Sequence, residues 1–242
     1  YGSLAGASLL SADGAGRLEP GPEVKGYYPL ASFAIAAGLL AGFIMELLIA
    51  KEKQNHLFVS ISENPLLGPG RNVLLASGAK DACLIKQGDW WRLFVPTWLN
   101  CGIIQLLSNF IVMYAVASPV EAVHGHLKVL LIFIFSGFFG TLVSVVFLPE
   151  IVVVGASAGS FGLLGACTID LFRHRVAYRG SLPCLVLAML TISTAGAMIG
   201  LLPFVDNFAN CGGLLGGLTT GIVALGRPSL KQEDEDNDIA AY

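Results

Sequence analysis

Apolar residues in this chain fall in long blocks separated by polar segments, without the period-two alternation of half-buried strands. The blocks run over Leu30–Ala50, about Leu93–Ala117, about Val129–Leu148, about Val152–Phe172, about Leu182–Leu202 and about Phe204–Leu225. At 1.5 Å per helical residue, each is long enough to cross ~30 Å of hydrocarbon. The pattern therefore predicts an all-α polytopic membrane protein with six transmembrane helices. Pro149-Glu150 closes the third block and Pro203 the fifth. Between the first two blocks lies a long polar excursion, Lys51 to Arg92. It holds Asn64-Pro65, Gly68-Pro69-Gly70 and Trp90-Trp91-Arg92, together with apolar patches such as Val73-Leu74-Leu75. This mixture predicts short, partly interfacial elements, with the tandem Trp at the aromatic belt. The chain divides into a Gly-, Ala- and Ser-rich extramembrane segment (1–29), a membrane domain (30–226) and an acidic, solvated tail (227–242).

Composition narrows the class. Hydrophobic residues make up 55% of the 242 residues, charged residues only 13%, and the net charge is −3. Soluble domains average roughly 25% charged residues. A soluble enzyme, a disordered linker and a nucleic-acid binder are all excluded, the last because no basic face is visible. The cysteines Cys83, Cys101, Cys167, Cys184 and Cys211 form no CxxC pair, so neither a metal site nor a disulfide framework is expected. No cofactor is implied. Six spans place both termini on one side, with Arg173, Arg175 and Arg179 after the fourth span as the topology anchor. Glu46 and Asp170 are the candidate acids for a path through the spans. Both lie near predicted ends, where side chains can snorkel, so a transport path is not favoured.

Candidate chemistry begins at Ser157, near the start of the fourth span and flanked by Gly155, Gly159 and Gly162. A hydroxyl in such a crowded site is either a nucleophile or another small packing residue. The sixth span carries Gly212, Gly213, Gly216, Gly217 and Gly221, whose four-residue spacings let a second helix approach closely. The fourth span is the natural partner.

These residues carry a family resemblance that covers most of 60–226. Asn64-Pro65-Leu66-Leu67-Gly68-Pro69, followed by Gly78-Ala79-Lys80-Asp81, is similar to the first-loop signature of eukaryotic rhomboids, the intramembrane serine proteases. Trp91-Arg92 resembles the family's Trp-Arg pair. The second span, from Thr97 to Asn109, resembles the segment that bears two histidines and an asparagine. Gly155-Ala156-Ser157-Ala158 resembles the Gly-x-Ser-Gly motif, with Ala158 replacing its last glycine. Val205-Asp206-Asn207-Phe208-Ala209-Asn210, followed by Gly212-Gly213, resembles the region of the catalytic histidine. The resemblance implies a rhomboid-like bundle of six helices with a long first loop.

The departures bear on activity. By resemblance, Ser157 stands at the nucleophile position, but the histidine that would activate it is replaced by Asn210. An amide cannot take the proton that imidazole takes. The two histidine positions of the second span are Asn100 and Gln105, while Asn109 keeps the family's asparagine in the former oxyanion region. The chain's histidines, His56, His124, His126 and His174, lie outside the predicted spans, as does every lysine. Asp206, one turn before Asn210, is a poor substitute base. The expectation is a pseudoprotease in an organelle inner membrane (mitochondrion or plastid) or the secretory pathway. Its partners would be membrane lipids and transmembrane proteins, or the other subunits of a larger complex, held without cleavage. The alternative is an active serine protease with an unusual base.

Overall fold

The computed structural model describes residues 10–12, 18–20, 27–173 and 182–225. His174, Arg175, Arg179, the acidic tail and most of the N-terminal segment lie outside the described residues. A three-residue antiparallel ribbon pairs β1 (Leu10–Ala12) with β2 (Leu18–Pro20). From there onward the described chain is helical or loop.

The first helix, α1 (Leu30–Gln54), stops where Asn55 takes a left-handed conformation (φ 60°), one that Asn tolerates better than most residues. The first loop then runs from Asn55 to Gly102. It contains α2 (Arg71–Ser77), α3 (Ala82–Lys86) and two 3-10 turns, Trp90–Leu93 and Val95–Trp98. This corrects the expected second span. The apolar run from Leu93 is no α-helix but a 3-10 turn and a loop, because Pro96 sits in the first turn of the second 3-10 segment and Leu99 and Cys101 belong to a separate small core. That core unites Leu66, Leu74 and Ala79 of the loop with Val152, Val154 and Val205. The helix begins ten residues later, as α4 (Ile103–Val112). It passes through a π turn (Met113–Ala117) into α5 (Ser118–His124). Pro119, in the first turn of α5, has no N–H to give the preceding turn. The wider π turn absorbs the defect, and Ser118 Oγ donates to the Met113 carbonyl at 3.1 Å.

After Gly125 (φ 88°) come α6 (His126–Phe147), α7 (Ala156–Arg173), α8 (Leu182–Ile199) and α9 (Asn207–Ala224). Helices Leu30–Gln54, Ile103–His124 and His126–Phe147 are long and apolar enough to cross a membrane. With 18 residues each, α7 and α9 are about 27 Å long.

The packing core is α6, α7 and α9. On α6, Ser136, Gly137, Gly140, Thr141 and Ser144 form a buried small-residue face. A methyl group added at Gly213 would overlap the Ala158 carbonyl, and one at Gly217 would overlap the Gly162 carbonyl. At Gly165 it would sit 2.5 Å from the Leu214 carbonyl oxygen. Helices α7 and α9 are thus in backbone contact, which only glycine permits at these positions. A methyl group would come within 2.6 Å of Phe133 at Gly159, 2.8 Å of Val143 at Gly212, 2.9 Å of Ala166 at Gly221 and 3.2 Å of Ser136 at Gly216. Gly155 differs, since its nearest neighbours would stand at 3.4 Å or beyond, ordinary contact. Looser packing holds α8, with Phe161 against Gly196 and Cys167 Sγ 3.9 Å from Met189 Sδ. Val186, Leu187, Leu190 and Met198 are exposed.

Candidate functional site

Ser157 owes its place to stitching on both sides. Residues 152–155 run extended across the mouth of the bundle. Val153 exchanges backbone hydrogen bonds with Lys80 (2.9 and 3.3 Å), Val154 N–H donates to the Phe204 carbonyl (3.2 Å), and Gly155 N–H donates to the Pro96 carbonyl (2.8 Å). Helix α7 opens immediately afterwards and leaves Ser157 half-buried in its first turn.

The first loop is itself anchored from inside. The buried Arg92 donates to the carbonyls of Leu75 (2.9 Å) and Ala79 (3.0 Å), pairs with Asp89 (3.0 Å) and stacks on Trp91 (4.4 Å to the ring centre). Trp90 remains exposed. Asn64 Nδ2 donates to the carbonyls of Pro69 (3.0 Å) and Cys101 (2.7 Å), which ties the Asn-Pro turn to the entrance of α4.

Around Ser157 the structure assembles amides. Gln105 Nε2 lies 3.5 Å from Ser157 Oγ, while Gln105 Oε1 accepts from the Cys101 backbone N–H (2.8 Å) and thiol (3.1 Å). Asn109 faces elsewhere. Its Nδ2 donates to Asn100 Oδ1 (2.9 Å), and its Oδ1 accepts from Ser160 Oγ (2.8 Å). Asn100 Nδ2 in turn reaches the Leu39 carbonyl (3.4 Å), and its backbone N–H reaches Glu46 Oε2 (3.4 Å). Both functional ends of the Asn109 amide are therefore engaged away from Ser157, in a chain that joins α1, the loop before α4, α4 and α7. On α9, Asn210 is buried. Its Nδ2 donates to Asn207 Oδ1 at 3.3 Å, and its Oδ1 has no hydrogen-bond partner among the described residues. Asp206 caps α9, with Oδ1 accepting from Phe208 N–H at 2.7 Å, and acts there as a helix cap.

Two residues depart from the expectation that in-span acids snorkel. Glu46 lies two turns inside α1, since the helix runs to Gln54, and it is fully buried with Oε1 unpartnered among the described residues. Asp170 is buried as well, 2.6 Å from His124 Nε2. His124 closes the second membrane-length helix and His126 opens the third, so these two lie on helices and not in a loop. Both are spent on carboxylates at the far end of the bundle. His126 Nδ1 lies 2.5 Å from Glu121 Oε1, and Glu121 also accepts from the N–H groups of Ala31 and Ser32 (2.7 Å each) at the start of α1. His56 is exposed in the first loop. An apolar groove of about 350 Å³ between α6 and α9, lined by Leu131, Phe135, Thr220 and Val223, also opens toward that far end and not at Ser157. Among the described residues, no cluster of His, Cys, Asp and Glu is arranged to hold a metal ion.

Ser157 Oγ thus accepts one long contact from an amide and meets no titratable group among the hydrogen bonds of the described residues. Neither Glu46 nor Ser160 could be placed from the sequence. Their roles depend on which way Asn100 and Asn109 turn.

Residues 87–227 match the Rhomboid domain. The chain is 37% identical over 190 residues to RHOMBOID-like protein 6, mitochondrial, of Arabidopsis thaliana, covering 78% of this chain and 62% of the relative. It is 35% identical over 176 residues to Inactive RHOMBOID-like protein 8 of the same organism, covering 72% and 50%. It is 34% identical over 155 residues to Rhomboid protease GluP of Bacillus subtilis (strain 168), covering 64% and 30%. The chain spans 43% to 62% of the length of the first four curated relatives it matches.

Proposed function

Because the chain belongs to the rhomboid family of integral membrane proteins, we propose that it is a member that binds transmembrane helices or membrane-protein partners without cleaving them. The observation that carries this reading is Asn210. It stands where the family's motif has its histidine, and an amide side chain cannot accept a proton from Ser157 near neutral pH. The surroundings agree. The Gln105 contact to Ser157 is long, and Asn109, which the family resemblance assigns to the oxyanion region, spends its N–H on Asn100. A transition-state oxyanion would lack a base to create it, and its side-chain amide support would be the long Gln105 contact. One Arabidopsis relative is itself named inactive.

Binding without turnover needs surfaces and not bases. In this reading α7, α8 and α9 span the bilayer beside the three longer helices, giving six spans in all. The loosely held α8, with Leu187 and Leu190 exposed, borders the lateral opening where a partner helix docks. The partners are transmembrane proteins or subunits of a larger membrane assembly, with lipid covering the remainder. The mitochondrial relative favours an organelle inner membrane over the secretory pathway.

The test is a fluorophosphonate probe applied to the full chain in lipid nanodiscs, beside Ser157→Ala, together with incubation with single-span substrates. No labelling above the alanine variant and no cleavage is expected. Labelling at Ser157 with substrate cleavage that Ser157→Ala abolishes would return the chain to the active proteases.

A further inference from the structure

Lys80 belongs to the first loop, yet only 1% of it is exposed, which makes it the largest fully buried side chain described. Lysine is almost never buried so completely unless paired. Its backbone forms the two-bond bridge to Val153, and its Nζ donates to the Leu148 carbonyl at the end of α6 (2.5 Å). Two carboxylates act on its ammonium through their charge. Asp81, its neighbour in sequence, is occupied in capping α3 through the N–H groups of Cys83 and Leu84. Asp206, at the start of α9, acts on it by charge. Its Oδ1 serves the cap, while Oδ2 is buried with no hydrogen-bond partner among the described residues. Glu150, just past the end of α6, is exposed.

We propose that Lys80 is a positioning residue whose buried amine seats the first loop on the ends of α6 and α9, and so fixes the segment that delivers Ser157 and the first turn that delivers Asn210. The seat is independent of whether the chain hydrolyses anything, and its test does not read hydrolysis. It also responds to protons. Burial pulls the Lys80 pKa from 10.5 down to about 8, and the Asp206 and Asp81 carboxylates keep it from falling further. An unseated, solvated Lys80 keeps its ordinary pKa. Between about pH 8 and 10.5 the seated form therefore binds fewer protons than the unseated one, so seating tightens as pH rises through that window. This contribution is complete above 10.5 and is lost as pH falls through 8. The neutral amine still donates to Leu148.

Hydrogen exchange of the full chain in nanodiscs, corrected for intrinsic rates, tests this at the Lys80 and Val153 amides. Protection in the wild type should rise on the order of tenfold between pH 7 and 9.5. Lys80→Met and Lys80→Arg should both lose the rise, the first because nothing titrates and the second because guanidinium stays charged. Asp206→Asn retains a competent helix cap and should move the onset to lower pH. A rise unchanged in the Lys80 variants, or an onset unmoved in Asp206→Asn, would overturn the proposal. The aspartate variant decides the matter even if a Lys80 variant fails to fold.

Discussion

The two ends of the helical bundle use polar side chains in opposite ways. Where α4, α7 and α9 begin, the side chains around Ser157 are amides and hydroxyls: Asn100, Gln105, Asn109, Ser160 and Asn210. They are neutral, their bonds run up to 3.5 Å, and at this end one amide oxygen (Asn210) and two carboxylate oxygens (Glu46 and Asp206) stay unpartnered among the described residues. Where α1 begins and α5 and α7 finish, histidines meet carboxylates at 2.5 and 2.6 Å, and Glu121 collects four donors. Among the described residues, the helix-borne imidazoles His124 and His126 sit at the end where they serve as struts, and His56 is exposed in the first loop. Catalysis requires a base whose proton affinity can be exploited. A strut requires only a satisfied bond.

Exchanging the two kinds of group tests the contrast most severely. Asn210→His places an imidazole on the turn of α9 that packs against the start of α7, where Gly213 lies on Ala158. General-base assistance is typically worth about 10²–10⁴-fold. Fluorophosphonate labelling at Ser157, read from the modified peptide, should rise by about a hundredfold over the wild type and vanish in Asn210→His/Ser157→Ala. Turnover of a peptide bond should stay poor, because Asn109 remains bonded to Asn100 and Ser160 and the oxyanion is left with the long Gln105 contact as its side-chain donor. If labelling does not rise, the amide at 210 is not what silences the serine.

The opposite end breaks differently. Glu121 is fully buried and satisfies two backbone N–H groups at the start of α1, where no intrahelical carbonyl is available, as well as the Ser32 hydroxyl. Glu121→Ala strands those donors at once, and the cost should be about 3 kcal/mol of unfolding free energy in mixed micelles. A loss under about 1 kcal/mol would mean that water replaces the carboxylate, and that this end is no tighter than the other.

What could be read from the sequence follows the same division. Long apolar blocks announce helices because nothing else satisfies a backbone in hydrocarbon, and glycines four apart announce the contact between α7 and α9. The start of the second span was misplaced by ten residues. Hydropathy alone cannot tell the apolar run from Leu93 to Leu99, which feeds a loop core around Leu66, from one that enters the bilayer. The same blindness put Glu46 at a helix end, since Lys51 and Lys53 look like the boundary while the backbone carries on to Gln54. That Asn100, Gln105 and Asn210 stand at the family's histidine positions is read from the resemblance alone. The hydrogen bonding of those amides was not legible, because an Asn or Gln carries a donor and an acceptor and its partners are fixed only by packing.

That last distinction yields the smallest effect and a sharp one. Ser157 and Asn109 belong to the same polar cluster and look equally placed by motif. Their bonds differ, however. Ser157 is half-buried with one contact at 3.5 Å, while Asn109 is buried with bonds of 2.9 and 2.8 Å to Asn100 and Ser160. Ser157→Ala removes almost nothing that is made, so its unfolding free energy should stay within about 0.5 kcal/mol of the wild type. Asn109→Ala leaves the Ser160 hydroxyl and an Asn100 oxygen without their partners and should cost about 1–3 kcal/mol. Measured side by side in the same micelles, the pair separates a residue that the fold uses for bonding from one that it barely uses. If Ser157→Ala proved as costly as Asn109→Ala, the hydroxyl would have a structural partner that the wild type relies on, and the amide end would be as tightly tied as the carboxylate end.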